Sequence, residues 1–168
     1  MKGAKKPVVL SPHLVSPGNE GLSEFEFGMI VCWNAFNEWL ERGTKAAGHG
    51  DLTFMDVVVL HQVAHRARNR KLADICFVLN LADTHSVSYS LKKLLAAKLV
   101  TGQKVGKEVL YQTTPDGEKV IANYREVRER CLLGIIEDDM KPAMSEFARF
   151  FVRMSGLYDQ AARAASSL

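Results

Sequence analysis

The chain has 168 residues, of which 47% are hydrophobic and 24% are charged, and its formal net charge is +3. This composition is ordinary for one soluble globular domain with a sizeable core, so no second domain is required. No apolar stretch approaches the length of a membrane-spanning helix, and Pro12 stops the short Val8–Leu10 run before it could form a signal-peptide core. We therefore expect a cytoplasmic protein.

Residues 1–21 are predicted to form an extended or disordered arm, because prolines and glycines interrupt any regular element there. An amphipathic helix is predicted over 22–47, with Ser23 and Glu26 as a capping box at its start. Its apolar stripe consists of Phe25, Met29, Cys32, Trp33, Phe36, Trp39 and Leu40. This is a large apolar surface for a peripheral helix, which indicates packing on a partner subunit as well as on the chain's own core.

Residues 51–117 are predicted to be a DNA-binding core that begins with three helices. The first, Leu52–His65, has Asp51 or Thr53 as its cap. Its buried side is predicted to be Phe54, Val57, Val58, Leu60 and Val63. A basic turn over 66–71 leads into the second helix, Leu72–Leu81, whose inward positions are Leu72, Ile75, Cys76 and Leu79. A tight corner at 82–84 then predicts a helix-turn-helix.

The third helix, residues 84–97 with Asp83 or Thr84 as its cap, is the predicted recognition helix. Its apolar positions are Val87, Leu91, Leu94 and Leu95, and its predicted exposed positions are His85, Ser86, Ser88, Tyr89, Lys92 and Lys93. Hydroxyl groups can hydrogen-bond base edges or phosphate oxygens, and lysines can neutralise phosphates or read guanine. The second helix of a helix-turn-helix enters the DNA major groove.

A basic hairpin follows the recognition helix. Strand Thr101–Val105 turns at Gly106-Lys107 and returns through Glu108–Thr113, with Lys104 and Lys107 at the tip. As a wing over 101–113, it would contact the flanking backbone or the minor groove. The complete set of predicted DNA contacts is Arg66, Arg68, Arg70, His85, Ser86, Ser88, Tyr89, Lys92, Lys93, Lys104 and Lys107.

Charge is distributed unevenly along the chain. Between His61 and Leu110 there are nine Lys and Arg residues against three acids, so this window carries +6 and the remainder carries −3. Such a basic centre focuses positive potential on one face, although a solvated basic face without a partner is the alternative.

Residues 118–158 are predicted to form two helices, and 159–168 an alanine-rich tail. Thr114-Pro115-Asp116-Gly117 opens the first helix and Pro142 starts the second. Their apolar positions are Val120, Ile121, Tyr124, Val127, Cys131 and Ile135, then Phe147, Phe150, Phe151, Met154 and Leu157. Together with 22–47 they form a predicted dimerisation layer; the alternative is that they cover one subunit's own core.

This order of elements resembles the MarR-type (multiple-antibiotic-resistance regulator) winged-helix transcription factors over 22–158. Residues 86–94, SVSYSLKKL, are similar to the family's recognition helix, and 113–117, TTPDG, to its step out of the wing. The resemblance implies a mainly α fold with a small β-hairpin and a homodimer on an operator, usually as a repressor. The family's wing usually carries an Asp-x-Arg element, whereas this one has Lys104 to Lys107 and no arginine.

Several alternatives remain beside this hypothesis. The alternative function is a winged-helix protein-protein interaction module without operator binding. Within the regulator hypothesis, a small-molecule effector could bind between the helices. His61 and His65 lie one helical turn apart, so a regulatory metal site completed by His49 or by a ligand from a dimer mate is a minor alternative to our expectation of none. Gln62 stands where a zinc protease needs a glutamate base, and no nucleophile, phosphate or dinucleotide motif is present, so we expect no enzyme and no cofactor.

The three cysteines, Cys32, Cys76 and Cys131, are widely spaced and have apolar neighbours. We interpret them as buried thiols in a reducing cytosol. Oxidant sensing is the alternative, but Cys32 has no cationic neighbour in the sequence that would favour the reactive thiolate.

Overall fold

A computed structural model describes residue 15 and residues 17–65 and 70–168. In chain order the elements are α1 (Glu20–Ala46), α2 (Phe54–Ala64), α3 (Leu72–Val78), α4 (Thr84–Ala96), β1 (Val100–Val105), β2 (Glu108–Thr113), α5 (Pro115–Cys131), a 3₁₀ turn (Leu133–Ile135) and α6 (Met140–Ala165). The two strands form one antiparallel hairpin. The predicted fold class, mainly helical with a small hairpin in a winged helix-turn-helix order, is confirmed.

The chain divides into two compact units, one up to Glu126 and one from Val127 to Leu168. In the first, the core is built on α2, α3, α4, the start of the hairpin and α5. The buried apolar side chains of these elements are Val57, Val59, Leu60, Val63, Ile75, Cys76, Val87, Leu91, Leu94, Val100, Val120 and Tyr124. Each large aliphatic side chain removed from water contributes about 1.5–3 kcal/mol to folding before entropy is counted.

Helix α2 is buried more widely than a single stripe predicts. Val59 is fully buried although the sequence analysis left it out, whereas Phe54 and Val58 are only half-buried. Thr53, one of the two predicted caps, starts the helix: its hydroxyl accepts from the Asp56 amide, and the Asp56 carboxylate accepts from the Thr53 amide at 2.9 Å. This reciprocal pair satisfies two amides that have no partner inside the helix.

The predicted start of α1 is wrong. The helix begins at Glu20, three residues before Ser23, and Asn19 precedes it without a side-chain capping bond. The Ser23 capping box therefore does not exist, because Ser23 lies inside the first turns. Much of the predicted apolar stripe is also open to solvent, with Trp33 at 52% and Phe36 at 46% exposure.

Helices α1, α3 and α4 end in the same way, in a Schellman motif with one residue at positive φ. That residue is Gly48 after α1, Asn80 after α3 and Lys98 after α4, with φ values of 97°, 53° and 59°. In α3 the motif closes through the Leu81 amide on the Cys76 carbonyl. The predicted extent of α3 to Leu81 is therefore too long.

The step from the hairpin into α5 depends on Thr114 and Gly117. The Thr114 hydroxyl accepts from the Gly117 amide at 3.0 Å and donates to the Lys98 carbonyl at 2.8 Å. A Cβ atom at Gly117 would overlap the Leu99 carbonyl oxygen. Pro115 takes the first helical position, where its missing N–H is not needed. The TTPDG segment thus joins the hairpin and α5 in close backbone contact.

In the second unit, the final helix is longer than predicted. It begins at Met140 rather than at Pro142, and it continues through Ala165 instead of stopping before the alanine-rich tail. Ile135 is 74% exposed and lies outside α5, so its predicted place on the α5 stripe is wrong. Within the described ranges, no helix is both long enough and apolar enough to cross a membrane.

The prediction of three buried thiols is wrong for two of them. Cys76 is buried, whereas Cys32 and Cys131 are exposed on α1 and at the end of α5. Burial and the negative charge of Asp83 raise the pKa of the Cys76 thiol, which keeps it protonated at neutral pH.

Candidate nucleic-acid interface

Helix α4 separates an apolar inner side from a polar outer side. Its inner side chains, Val87, Ser90, Leu91 and Leu94, are buried. At the start of the helix, the Asp83 carboxylate accepts from the His85 amide at 2.9 Å. Asp83 is therefore the cap, as one of the two predicted alternatives had it.

The outer side of α4 carries five of the eleven predicted contact residues. His85, Tyr89 and Lys92 are exposed, Tyr89 at 71%, while Ser86 and Ser88 are half-buried. A phenol, an imidazole and an ammonium group then face solvent on adjacent turns, a combination that can donate to phosphates and base edges. Leu95, predicted to face inward, is instead 37% exposed.

Lys93 does not share the exposure of Lys92. Its ammonium group donates to the Asp56 carboxylate at 2.7 Å and to the Asp51 carbonyl, and its side chain is 28% exposed. The predicted exposure of Lys93 is therefore wrong, because the side chain turns back to the start of α2. The hydrogen bond to Asp56 raises the pKa of Lys93, against the opposing effect of burial.

The wing has the predicted register. Val105 pairs with Glu108 across a two-residue turn, and Gly106 is the turn residue with positive φ, 63°. This is the arrangement of a turn with glycine at its first central position. Lys104 and Lys107 are exposed at the tip as predicted.

Two contacts fasten the wing to the start of α3. The Arg70 and Tyr111 backbones exchange hydrogen bonds of 2.9 and 2.8 Å, which adds a one-residue bridge beside β2. Lys71 forms an ion pair with Glu108, and the hydrogen bond in that pair raises the pKa of Lys71.

The Arg70 side chain is half-buried and donates toward the His65 carbonyl, so its predicted role in DNA contact competes with a local one. Arg66 and Arg68 lie outside the described residues.

Asp56, the buried acid that holds Lys93, was not among the residues predicted from the sequence. Burial raises the pKa of Asp56, but hydrogen bonds from Lys93, Thr53 and Ser90 outweigh it, so the pKa lies below its ordinary value. The signal available was Thr53 three residues before an acid at the start of an apolar run.

His61 lies half-buried on α2 and faces α5. Its ring contacts Tyr124 edge-on at 5.6 Å, and burial, followed by the positive charge of Arg125, lowers its pKa. His65 is exposed and His49 half-buried. Among residues 17–65 and 70–168, no group of three histidine, cysteine or acidic side chains is close enough to hold a metal ion.

A small apolar cavity of about 170 Å³ opens between α1, α2 and the end of α3. Its lining residues are Trp33, Phe54, Met55, Val58, Leu79 and Leu81. Trp33 and Phe54 form an edge-to-face pair at 4.8 Å, which gives the cavity an aromatic wall.

Comparison with known proteins agrees with this geometry. Residues 52–117, from just before α2 to the start of α5, match a family model described as winged helix DNA-binding domain. The chain therefore has a winged-helix fold, which solved structures of MarR-family regulators share. A MarR transcriptional regulator from Methanosarcina mazei Go1 is similar to it, with a TM-score of 0.64 at 14% identity over 80% of this chain and 98% of that one.

Two further solved structures of similar fold contain a bound molecule. FabT from Streptococcus pneumoniae, in complex with DNA, has a TM-score of 0.62 at 10% identity, covering 81% of this chain and 99% of that one. CouR from Rhodococcus jostii RHA1, bound to p-coumaroyl-CoA, has a TM-score of 0.58 at 16% identity, covering 74% and 88%. No curated protein matches the chain by sequence.

Proposed function

We propose that this protein is a homodimeric transcription regulator, acting as a repressor, that places α4 in the DNA major groove and its wing on the flanking backbone or minor groove. The observation that carries the proposal is the two-sided α4: its inner residues are buried in the domain, while His85, Tyr89 and Lys92 extend into solvent. A recognition helix needs this arrangement, since it must be held from behind and present polar groups in front.

Charge supports the same conclusion. The window from His61 to Leu110 has a net charge of +6, and Lys92, Lys104 and Lys107 are exposed on α4 and the wing. Phosphate contacts by such lysines supply sequence-independent affinity, while the outer groups of α4 supply base contacts. Two lysines of the window, Lys71 and Lys93, are held in ion pairs within the domain and are less suited to this task.

The homodimer is supported by α6. Its apolar residues recur in steps of four and three, at Met140, Met144, Phe147, Phe151, Met154 and Tyr158. Met140, Met144, Phe147 and Phe151 are 40–59% exposed. A seam with this 3.5-residue period is typical of helices that pack along one another, and a second copy of the chain supplies a matching helix. Helix α1 adds exposed apolar residues, with Ile30 at 57% and Val31 at 51%.

The proposed function includes regulation by a small-molecule effector. The aromatic cavity behind the helix-turn-helix suits a small apolar or aromatic molecule, and CouR, a protein of similar fold, binds p-coumaroyl-CoA. Occupancy of a site that touches the end of α3 would shift the orientation of the helix-turn-helix and so change DNA affinity.

The test is fluorescence anisotropy of the purified chain with labelled duplex DNA across a salt series. Duplexes selected by the protein from a random pool would be compared with scrambled duplexes of the same length. We expect selected sequences to be two-fold symmetric, and affinity to fall steeply as salt rises.

Lys92→Ala and Lys119→Ala form a matched pair for this test, because both lysines are exposed but Lys119 lies on α5, outside the helix-turn-helix and the wing. We expect Lys92→Ala to weaken binding and Lys119→Ala to leave it near wild type. Absence of binding at low salt would overturn the proposal and favour a protein-protein interaction module.

A further inference from the structure

Lys92 and Lys93 are neighbours in sequence but have opposite surroundings. Lys92 is exposed, whereas the Lys93 ammonium group reaches the start of α2, where it donates to the Asp56 carboxylate at 2.7 Å and to the Asp51 carbonyl. One side chain therefore connects the recognition helix to two points on another element. The connection lies one helical turn after Tyr89, which is 71% exposed.

Asp56 can hold this lysine, but it is too deeply buried to contact a ligand at the surface. Its side chain is 1% exposed, so it cannot reach a DNA phosphate, and the same oxygen that accepts from Lys93 also accepts from the Thr53 amide at 2.9 Å. The carboxylate is thereby fixed to the first turn of α2. A buried charge with these partners strongly favours one position of the cation that pairs with it.

We infer that Lys93 is a positioning residue, which holds the recognition helix against α2 in the orientation that binds DNA, and that Lys92 makes the phosphate contact. The inference rests on the proposed function. Binding requires α4 to present its outer residues at a defined angle, and a helix that holds this angle for only about a tenth of the time would bind about tenfold more weakly.

The two roles differ in their salt dependence. Loss of a phosphate contact reduces the slope of log affinity against log salt by about 1, because fewer counterions are released on binding. Loss of a positioning contact lowers affinity at every salt concentration and leaves the slope unchanged. Asp56 separates the roles further, since a buried acid can affect binding only through the residues that it holds.

The experiment measures anisotropy across a salt series for wild type, Lys93→Met, Lys93→Arg, Asp56→Asn and the surface control Lys92→Met. All proteins are held at a temperature where circular dichroism shows each to be folded. We expect Lys93→Met and Asp56→Asn to weaken binding by about tenfold with the wild-type slope, and Lys93→Arg to recover part of the loss. Lys92→Met should reduce the slope by about 1.

The positioning role would be overturned if Lys93→Met reduced the salt slope, or if Asp56→Asn bound DNA as tightly as the wild-type protein. In either case DNA binding by the wild-type protein would leave the proposed function standing. Failure of the wild-type protein to bind any duplex would overturn the proposed function and this inference together. The two failures are therefore distinguishable in one set of titrations.

Discussion

Lys93 of α4 and Asp56 of α2 form an ion pair of 2.7 Å in which the acid is 1% exposed and the lysine side chain 28%. The pair is asymmetric, because the carboxylate has lost nearly all of its water and the ammonium group retains some. Removing the lysine would leave a buried charge with only backbone and hydroxyl donors. Such a residual charge costs more than the pair itself contributes.

We predict that Lys93→Met lowers the free energy of unfolding by about 1–3 kcal/mol, less than for a fully buried pair because Lys93 is partly solvated. Lys92→Met should change it by less than about 0.5 kcal/mol, as expected for an exposed position. Urea unfolding followed by circular dichroism measures both. Equal effects of the two variants would show that the Asp56 contact carries no net stability.

His61 gives the fold a pH dependence near neutrality. Burial and Arg125 lower its pKa from the ordinary value of 6.5, so the unfolded chain binds a proton more readily than the native one. The contribution of the neutral His61 to the free energy of unfolding is then fully present above pH 6.5, and it is lost as the pH falls through the lowered native pKa. Melting temperatures between pH 5 and 8 should show this loss reduced in His61→Gln. His65→Gln, at an exposed position, is the control and should follow wild type.

Among the described glycines, Gly117 is the one where an added methyl group should lower the free energy of unfolding most. Its added Cβ would overlap the Leu99 carbonyl oxygen, which belongs to backbone and cannot rotate away. We predict that Gly117→Ala destabilises by more than about 2 kcal/mol. Gly21→Ala, in α1 with open space around its Cβ position, should instead be neutral or stabilising by up to about 1 kcal/mol. Chemical denaturation of the two variants separates close packing from helix propensity.

Local patterns predicted the elements of the winged-helix domain, residues 52–117, because each is specified by nearby residues. Gly106 indicates the hairpin turn, as the structure has it. Asp83 and Thr53 were each one of two predicted caps, and each is the cap in the structure. Capping and turn chemistry acts over a few residues, so a single sequence is enough to read it.

One wrong prediction concerns a contact between elements. The pattern of α4 makes Lys92 and Lys93 equivalent exposed cations, and only the approach of α2 distinguishes them. The exposure of Lys93 is therefore not a property of the local residues alone, since it depends on the neighbouring helix. The error at the start of α1 is different: the Ser23-to-Glu26 spacing fits a capping box, but the helix extends past it to Glu20.

Lys98 occupies the left-handed position that ends α4, where a Cβ atom costs about 1–2 kcal/mol. Glycine relieves this cost but adds freedom to the unfolded chain, so we predict a net gain of about 0.5–1 kcal/mol for Lys98→Gly. Lys98→Ala removes the same charge and keeps the Cβ atom, and it should stay near wild type. Thermal unfolding of both variants measures the difference, and a gain of equal size in Lys98→Ala would assign the effect to charge instead.

Phe147 is the most exposed member of the apolar seam of α6, at 59%, and the proposed dimer would bury it. A carboxylate placed there would have to lose its water in the interface, so we predict that Phe147→Glu weakens self-association by at least about 100-fold. Gln160→Glu introduces the same charge on α6 off the seam and should leave association unchanged. Sedimentation equilibrium across a concentration series measures both. Because Phe147 is already exposed in the single chain, Phe147→Glu should keep wild-type helix content, and a dimer of undiminished affinity would exclude this part of α6 from the interface.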